Sequence, residues 1–139
     1  MAGGFDFTEF QEYRNNFMKM YTEYQKWLYE FIGNEGLRFI RAVKLRTPVD
    51  TGDLRNHWML QDITREGDVL HCWFVNPMYY ATFVEYGHAK PYKAGATEGS
   101  SDWVEGYFMI EISLDEIHRK MPARFDREFI KYMKAMGLM

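Results

Sequence analysis

Residues 47–58 read Thr47-Pro48-Val49-Asp50-Thr51-Gly52-Asp53-Leu54-Arg55-Asn56-His57-Trp58, and the character of the chain changes across them. Before them the hydrophobic pattern is helical; after them it is short, aromatic and strand-like. Pro48 has no N–H to donate and biases Thr47 away from helical angles, so a helix arriving from upstream must stop here. Asp50-Thr51-Gly52-Asp53 is dense in turn formers, and Gly52 is free to take positive φ. The stretch is therefore a switch point. A long helix ends, the chain turns, and a strand is expected from Leu54 to Ile63 with Trp58 and Leu60 on one face.

Upstream, Thr8-Glu9-Phe10-Gln11 fits a capping box, with Asp6 as the alternative cap. Phe10, Tyr13, Phe17, Tyr21, Tyr24, Leu28, Phe31 and Ile32 then recur at spacings that place them on one helical face, suited to packing on a sheet or a neighbour. Gly33-Asn34-Glu35-Gly36 interrupts the pattern, and each glycine there costs about 1 kcal/mol relative to alanine. A helix running unbroken from Thr8 to Arg46 would span about 58 Å, against a radius of gyration of about 14 Å for a domain of this size. Either the chain bends at the glycines or one end of the helix reaches a neighbouring subunit.

Downstream, Arg65-Glu66-Gly67-Asp68 reads as a hairpin connection and Val69 to Val75 as the returning, central strand. Asn76-Pro77 reads as a helix start, with Met78 to Tyr86 helical, Tyr80, Phe83 and Val84 inward, and Gly87 as C-cap. His88 to Asp102 is then a long loop with Gly95, Gly99, Ser100 and Ser101, of a length that is usually functional or mobile. The final helix starts at about Phe108, or at the box Ser113-Leu114-Asp115-Glu116. It is kinked or restarted at Pro122 and ends near Gly137. The expected architecture is α+β: long N-terminal and C-terminal helices packed on a small antiparallel sheet, with a short helix and a long loop after the central hairpin. The 139 residues suit one domain, with a flexible N-terminus over residues 1–7.

Eleven Phe, ten Tyr, four Trp and ten Met favour half-buried surfaces of the kind found at subunit contacts. The single cysteine, Cys72, excludes an internal disulfide framework and a cysteine-rich zinc site. No window is apolar enough to span a membrane, and Met1-Ala2-Gly3-Gly4 lacks the basic start of a signal peptide, so a cytoplasmic protein, or a particle assembled in the cytoplasm, is expected. The net charge of −3 is uneven: +1 over residues 1–46, −6 over 47–112 and +2 over 113–139. No block of Lys and Arg is dense enough for tight DNA binding, while a surface that lets DNA pass without sticking fits the acidic middle.

Asp50-Thr51-Gly52 has the tripeptide of aspartic proteases, but a second acid, Asp53, follows it, and no apolar strand precedes it. His57, His71, Cys72 and His88 have no zinc-like spacing. Glu85 and Glu105 are possible paired carboxylates with nothing in the sequence to bring them together. No phosphate loop, dinucleotide fingerprint or nucleophile elbow is present. A small hydrolytic or toxin-like enzyme using Asp50 or a histidine-centred site is the alternative to a structural role. No catalytic, cofactor or metal residue is assigned.

Three segments together, Thr47-Pro48-x-Asp50-Thr51-Gly52-x-Leu54 with Trp58, then Tyr80-Ala81-x-x-Val84-Glu85-Tyr86-Gly87-His88, then Trp103-Val104-x-Gly106-x-Phe108, resemble the minor tail component family of tailed bacteriophages and prophages. That family is also described as tail-completion or head–tail joining (neck) proteins. The resemblance implies a small α+β subunit of a ring, usually six-fold, between the head-closure (stopper) ring and the tail terminator, in the virion, without catalytic residues or cofactor. It implies self-contact, contact with the adjoining rings, and a lumen through which DNA passes. In the residues themselves, Thr47 to Gly52 stops the helix, and Trp58 and Tyr80 are large enough to fill the gap between helix and sheet. Glu85 can pair with Arg55 or accept N–H groups of the Asp50–Asp53 turn. His88, Lys90, Tyr92, Lys93, Gly95, Gly99, Asp102 and Trp103 form the expected subunit or ring contact loop, anchored by Tyr92 and Trp103.

Overall fold

The computed structural model describes Gly4, Asp6 and residues 8–139, so the N-terminal segment expected to be flexible falls largely outside it. Helix α1 runs unbroken from Thr8 to Arg46, 39 residues. Asp6 rather than Thr8 caps it: the Asp6 Oδ1 accepts the Thr8 N–H at 2.9 Å and the Thr8 hydroxyl at 2.5 Å. Those bonds, the hydroxyl's first, hold the exposed Asp6 carboxyl below its usual range.

The glycines do not break the helix. A Cβ on Gly36 would lie 2.6 Å from the Cys72 sulfur and 3.1 Å from Leu60. Gly36 is there because the central hairpin lies directly on the helix backbone. Burial in that contact pushes the Cys72 thiol up from its ordinary value. Gly36→Ala exchanges a helix-propensity gain of about 1 kcal/mol for crowding worth about 1–3 kcal/mol. A net loss of about 1 kcal/mol is expected in urea unfolding, with the midpoint lowered and the slope unchanged.

α1 stops before Pro48, as the proline requires. The strand expected from Leu54 to Ile63 is replaced by a single helical turn, α2 (Asp53–Asn56), followed by a two-residue strand, β1 (Met59–Leu60). The reason is visible in the spacing. Leu54 and Trp58 are four apart and both point into the core at 4% exposure, which is helical geometry; strand alternation would also have buried Asn56, which is exposed.

β2 (Thr64–Glu66) and β3 (Val69–His71) form the tip of the hairpin, and β4 (Phe74–Val75) returns to pair with β1. The register slips by one between the two ladders: Leu60 faces Phe74, whereas Thr64 faces His71. Three residues, Gln61–Ile63, therefore oppose two, Cys72 and Trp73, which is a bulge. It splits the expected central strand 69–75 into β3 and β4 and leaves Val69 and Trp73 exposed.

Asn76 does not cap the next helix. Its Oδ1 accepts the Met78 N–H (3.1 Å) and its Nδ2 donates to the Leu54 carbonyl (2.8 Å). Helix α3 starts later, at Ala81, and ends at Tyr86 with Gly87 as C-cap. Its phase turns Tyr80, Ala81 and Val84 toward the core, so the expected inward Phe83 is exposed and lies edge-on to His88.

The long loop is shorter than expected, because both its ends are strands: β5 (Gly87–Ala89) pairs with β6 (Trp103–Glu105). Between them, 90–102 is a chain of turns closed by Lys90 N–H to the Asp102 carbonyl at 2.8 Å.

Helix α4 (Met109–Ala135) starts after Phe108, not at the Ser113 box, and continues through Pro122 without restarting. Gly137, φ 71°, closes it. Phe39, Ile40 and Val43 of α1 meet Leu54, Trp58, Met109 and Ile117 in the core. A second, aromatic seam joins α1 to the far half of α4: Trp27 lies 5.3 and 5.4 Å, centroid to centroid, from Phe125 and Phe129, and Phe31 5.2 Å from Phe125.

Candidate functional site

Two features of the fold have no counterpart in an ordinary packed core: a polar junction built on the residue 47–58 switch, and an aromatic arm.

In the junction, Thr47 is buried at 2% exposure. Its hydroxyl donates to the Val43 carbonyl (2.6 Å) and accepts the Trp58 indole N–H (2.9 Å), with the Met109 sulfur 3.5 Å away. One threonine thus ties the end of α1 to Trp58 and to the start of α4. Arg55 closes α1 from outside, donating from Nε to the Lys44 carbonyl (2.9 Å) and from Nη2 to the Thr47 carbonyl (3.5 Å). Carbonyls at a helix C-terminus lack intrahelical partners and carry negative partial charge, so a guanidinium suits them.

Glu85 makes neither of its expected contacts. At 2% exposure it accepts the backbone N–H groups of Ile110 (2.9 Å) and Glu111 (3.1 Å), the first turn of α4. The residue at the N-cap, Phe108, sits at φ 48° and has no polar side chain to offer, so the cap comes from α3. Backbone bonds reinforce the joint: Tyr107 N–H to the Val84 carbonyl (2.9 Å) and Phe108 N–H to the Glu85 carbonyl (3.0 Å). Gly52 (φ 88°) and Gly87 (φ 87°) both take the positive φ that the turn and the helix end require.

The Asp50–Asp53 turn edges an open cleft of about 590 Å³ whose other wall is Tyr80, Val84 and Tyr107. Asp50, Thr51 and Asp53 are exposed there, and the Thr51 hydroxyl accepts the Asp53 N–H at 3.3 Å, the bond of a turn. Glu105 is exposed on β6, whereas Glu85 is buried and engaged by α4. His57 ends α2, with Nδ1 2.5 Å from the Asp53 carbonyl; His71 stacks on Trp73; His88 lies in β5. Among the described residues no three His, Cys, Asp or Glu side chains form a metal-holding group.

Of the contact-loop residues, Lys90, Tyr92, Lys93, Gly95 and Gly99 are exposed, and Tyr92 is fully so at φ 64°. Trp103 is not a free anchor. It is part of β6, with its ring nitrogen buried against Gly87.

Two ion-pair links between α1 and α4 have no motif in the sequence. Arg46 donates to Ser113 (3.2 Å) and Glu116 (2.6 Å). The hydrogen bond from Arg46, seconded by Lys120, holds the half-buried Glu116 carboxyl below its usual range. Arg124 forks onto Glu35, which is 5% exposed, with Nε to Oε1 at 2.7 Å and Nη2 to Oε2. The available signal was periodicity: Phe31, Glu35 and Phe39 are four apart, which places the acid on the buried face.

The second feature is the start of α1. α4 runs antiparallel to α1, with Glu35 against Arg124 and Tyr24 against Phe129, and the helix stops at Ala135, short of the first turns of α1. Phe10 (69%), Tyr13 (72%), Phe17 (54%) and Tyr21 (48%) are left exposed, in phase with the residues that pack on α4.

A family profile described as "Bacteriophage HK97-gp10, putative tail-component" matches residues 14–87, just over half of the chain. The chain belongs to the HK97-gp10-like family. The matched segment begins in the arm, includes the switch, the hairpin and α3, and ends at Gly87, so Thr47, Trp58 and Glu85 all lie inside the family's region. Comparison with curated proteins and with solved structures returned no match. As a member of a tail-component family, the protein is structural, part of a phage or phage-like particle, and it contacts other structural proteins there. No helix among the described residues is long and apolar enough to cross a membrane.

Proposed function

We propose that the protein is a ring-forming subunit of the particle's neck, joining head to tail between the head-closure and tail-terminator rings, six-fold and without catalytic turnover. The observation that carries this reading is α1. A 39-residue helix whose first turns leave the body with aromatic residues exposed calls for a covering surface that the described residues do not supply. A junction that ties α1, α3 and α4 through buried polar groups gives the rigid subunit a closed ring requires. The acidic 47–112 segment suits a lumen that DNA passes without binding. Deleting the gene tests the reading. Filled heads and separate, full-length tails are expected to accumulate, and adding the purified chain is expected to join them. Joined particles without the chain would overturn it.

The Lys90–Asp102 turns belong to the same reading as a contact loop. With Tyr92 fully exposed and few apolar residues to offset ordering costs of about 1–2 kcal/mol per residue, amides from Lys90 to Ser101 are expected to exchange fast in the free subunit. In assembled particles they are expected to exchange at least about tenfold more slowly, a local stabilisation of about 1.4 kcal/mol. Equal exchange in both states would remove the loop from the interface.

A further inference from the structure

Helix α1 separates two faces of opposite charge. On one side of it lies the central hairpin, whose Leu60 and Cys72 approach Gly36. At about 100° per residue, Arg38, Arg41 and Leu45 stand roughly 200°, 140° and 180° around the helix from Gly36, on the far side. There, with Arg46 and with Lys120 and Arg124 of α4, they line a cleft of about 460 Å³.

The five bases of this cleft share two acids. Glu35 serves Arg124 and, at 3.8 Å, Arg38; Glu116 serves Arg46 and, at 3.1 Å, Lys120. Arg41 makes no ion pair among the described residues, and Leu45, one turn further along the same side of α1, is 80% exposed. Glu30 and Glu128 lie beyond, in the neighbouring cleft toward the aromatic seam.

The hairpin faces the other way and has the opposite sign. Cross-strand pairing sets Glu66 beside Val69 and Thr64 beside His71 on its outer face. The Trp73 indole N–H donates to the Thr64 hydroxyl at 2.8 Å, which places Trp73 on that face too. Val69 and Trp73 are half exposed. The Glu66 side chain is 88% exposed, with His71 3.5 Å away, and Asp68 is exposed at the turn. The one arginine of the hairpin, Arg65, points inward and donates to Gln25 of α1.

We propose that the outer hairpin face of one copy docks in the α1–α4 cleft of the next. Both halves of the contact are present on this chain, matched in chemistry and facing opposite ways, and this selects a second copy as the occupant. Glu66 and Asp68 meet the surplus of cations, Trp73 meets the unpaired Arg41 guanidinium, and Val69 meets Leu45. Contact between two different faces of one chain is heterologous, and it repeats from copy to copy until it closes. Duplex DNA fits the cleft less well. The bases form one short cluster on a chain of net charge −3, not a track along a backbone. The proposal deepens the ring reading and rests on it for closure; the contact itself does not require the neck.

The test is cysteine cross-linking in particles. Leu45→Cys and Val69→Cys are placed together in a Cys72→Ser background and treated with a short bismaleimide. The two positions lie on opposite sides of α1, so one copy cannot bridge them internally. A ladder of covalent multimers is expected from the two-cysteine chain and none from either single variant. Arg41→Glu and Glu66→Arg, added to that chain, are each expected to lower the cross-linked fraction at least about threefold, and both together to restore it toward the parent. Residues 41, 45, 66 and 69 are exposed, so circular dichroism should not change. Absence of the ladder in intact particles would overturn the proposal. So would a covalent dimer from one single variant, the mark of a two-fold contact, or a ladder indifferent to Arg41→Glu. Adducts with another particle protein in place of the ladder would make that protein the occupant. Retention of a duplex DNA probe by the free chain, lost in Arg41→Glu, would make the cleft a phosphate site; either result overturns the second copy. If the ladder forms but imaging finds no ring of this chain at the neck, the neck reading fails and the contact stands. If a neck ring is present without the ladder, the contact fails and the neck reading stands.

Discussion

Gly106→Ala and Gly87→Ala are each expected to lower stability by at least about 3 kcal/mol, a large part of the 5–15 kcal/mol typical of a domain. The two glycines lie against each other where the chain leaves α3 and where it enters α4. A Cβ on Gly106 would sit 2.3 Å from the Glu85 carbonyl oxygen and 2.7 Å from the Gly87 nitrogen; one on Gly87 would sit 2.5 Å from the Val104 carbonyl oxygen. These neighbours are backbone, held by the β5–β6 ladder and by the bonds from Tyr107 and Phe108, so no side-chain rotation relieves the contact. Overpacking costs about 1–3 kcal/mol or more, and Gly87 adds a further 1–3 kcal/mol or so, because φ 87° with ψ 174° is a glycine region. Gly67→Ala is the control. Its φ is also positive, at 60°, but nothing lies within 4 Å, so only about 1–2 kcal/mol is expected. Urea unfolding of the three variants separates conformational strain from steric contact. If Gly106→Ala is no worse than Gly67→Ala, the two backbones are not in the close approach described.

The parts of this fold that were legible in the sequence are those set by local chemistry. Pro48 ends α1, Gly52 and Gly87 turn the chain, Arg65–Asp68 makes a hairpin and Gly137 closes α4, because each depends on the residue itself and its immediate neighbours. Several of the misreadings concern phase. Leu54 to Trp58 offers alternate residues to a strand and fourth residues to a helix, and only the packing of Leu54 and Trp58 under α1 selects the turn of helix. The bulge opposite Cys72–Trp73 splits an apolar run that looks continuous, and a starting point for α3 a few residues later rotates Phe83 outward. Gly36 was read as a weakness of the helix, when its role is to let Leu60 and Cys72 approach, a fact carried by residues far along the chain. The same holds for the candidate site. The signature residues lie together, yet Thr47 and Glu85 act on partners that no spacing reveals. Trp58 meets the Thr47 hydroxyl, and the first turn of α4 meets the Glu85 carboxylate.

Glu85→Ala is expected to cost about 3 kcal/mol and to do so by loosening the start of α4. The carboxylate is the cap of that helix, supplied from another element. Losing a cap is worth about 0.5–2 kcal/mol, and a buried side chain removed from a filled site leaves a cavity that adds to it. No local substitute exists, because Phe108 at the N-cap has no polar side chain and sits at positive φ. Glu85→Gln keeps one oxygen acceptor but turns an NH₂ group toward the second backbone N–H, so about 1–2 kcal/mol is expected. Glu85→Asp keeps the charge, and its shorter reach from α3 cannot hold both the Ile110 and Glu111 N–H groups at 2.9 and 3.1 Å; it is expected to fall between the other two. The ordering Gln, Asp, Ala of increasing loss is the signature of a cap, as distinct from a volume effect, in which Gln would be silent. Amide exchange gives the location: Ile110 and Glu111 should lose protection in all three variants, while amides of α1 around Val43 change only as far as global stability does. Glu85→Ala within about 0.5 kcal/mol of wild type, the range of an ordinary surface substitution, would show that α4 does not depend on α3 for its start. The junction would then be two separate packing contacts, not one polar joint.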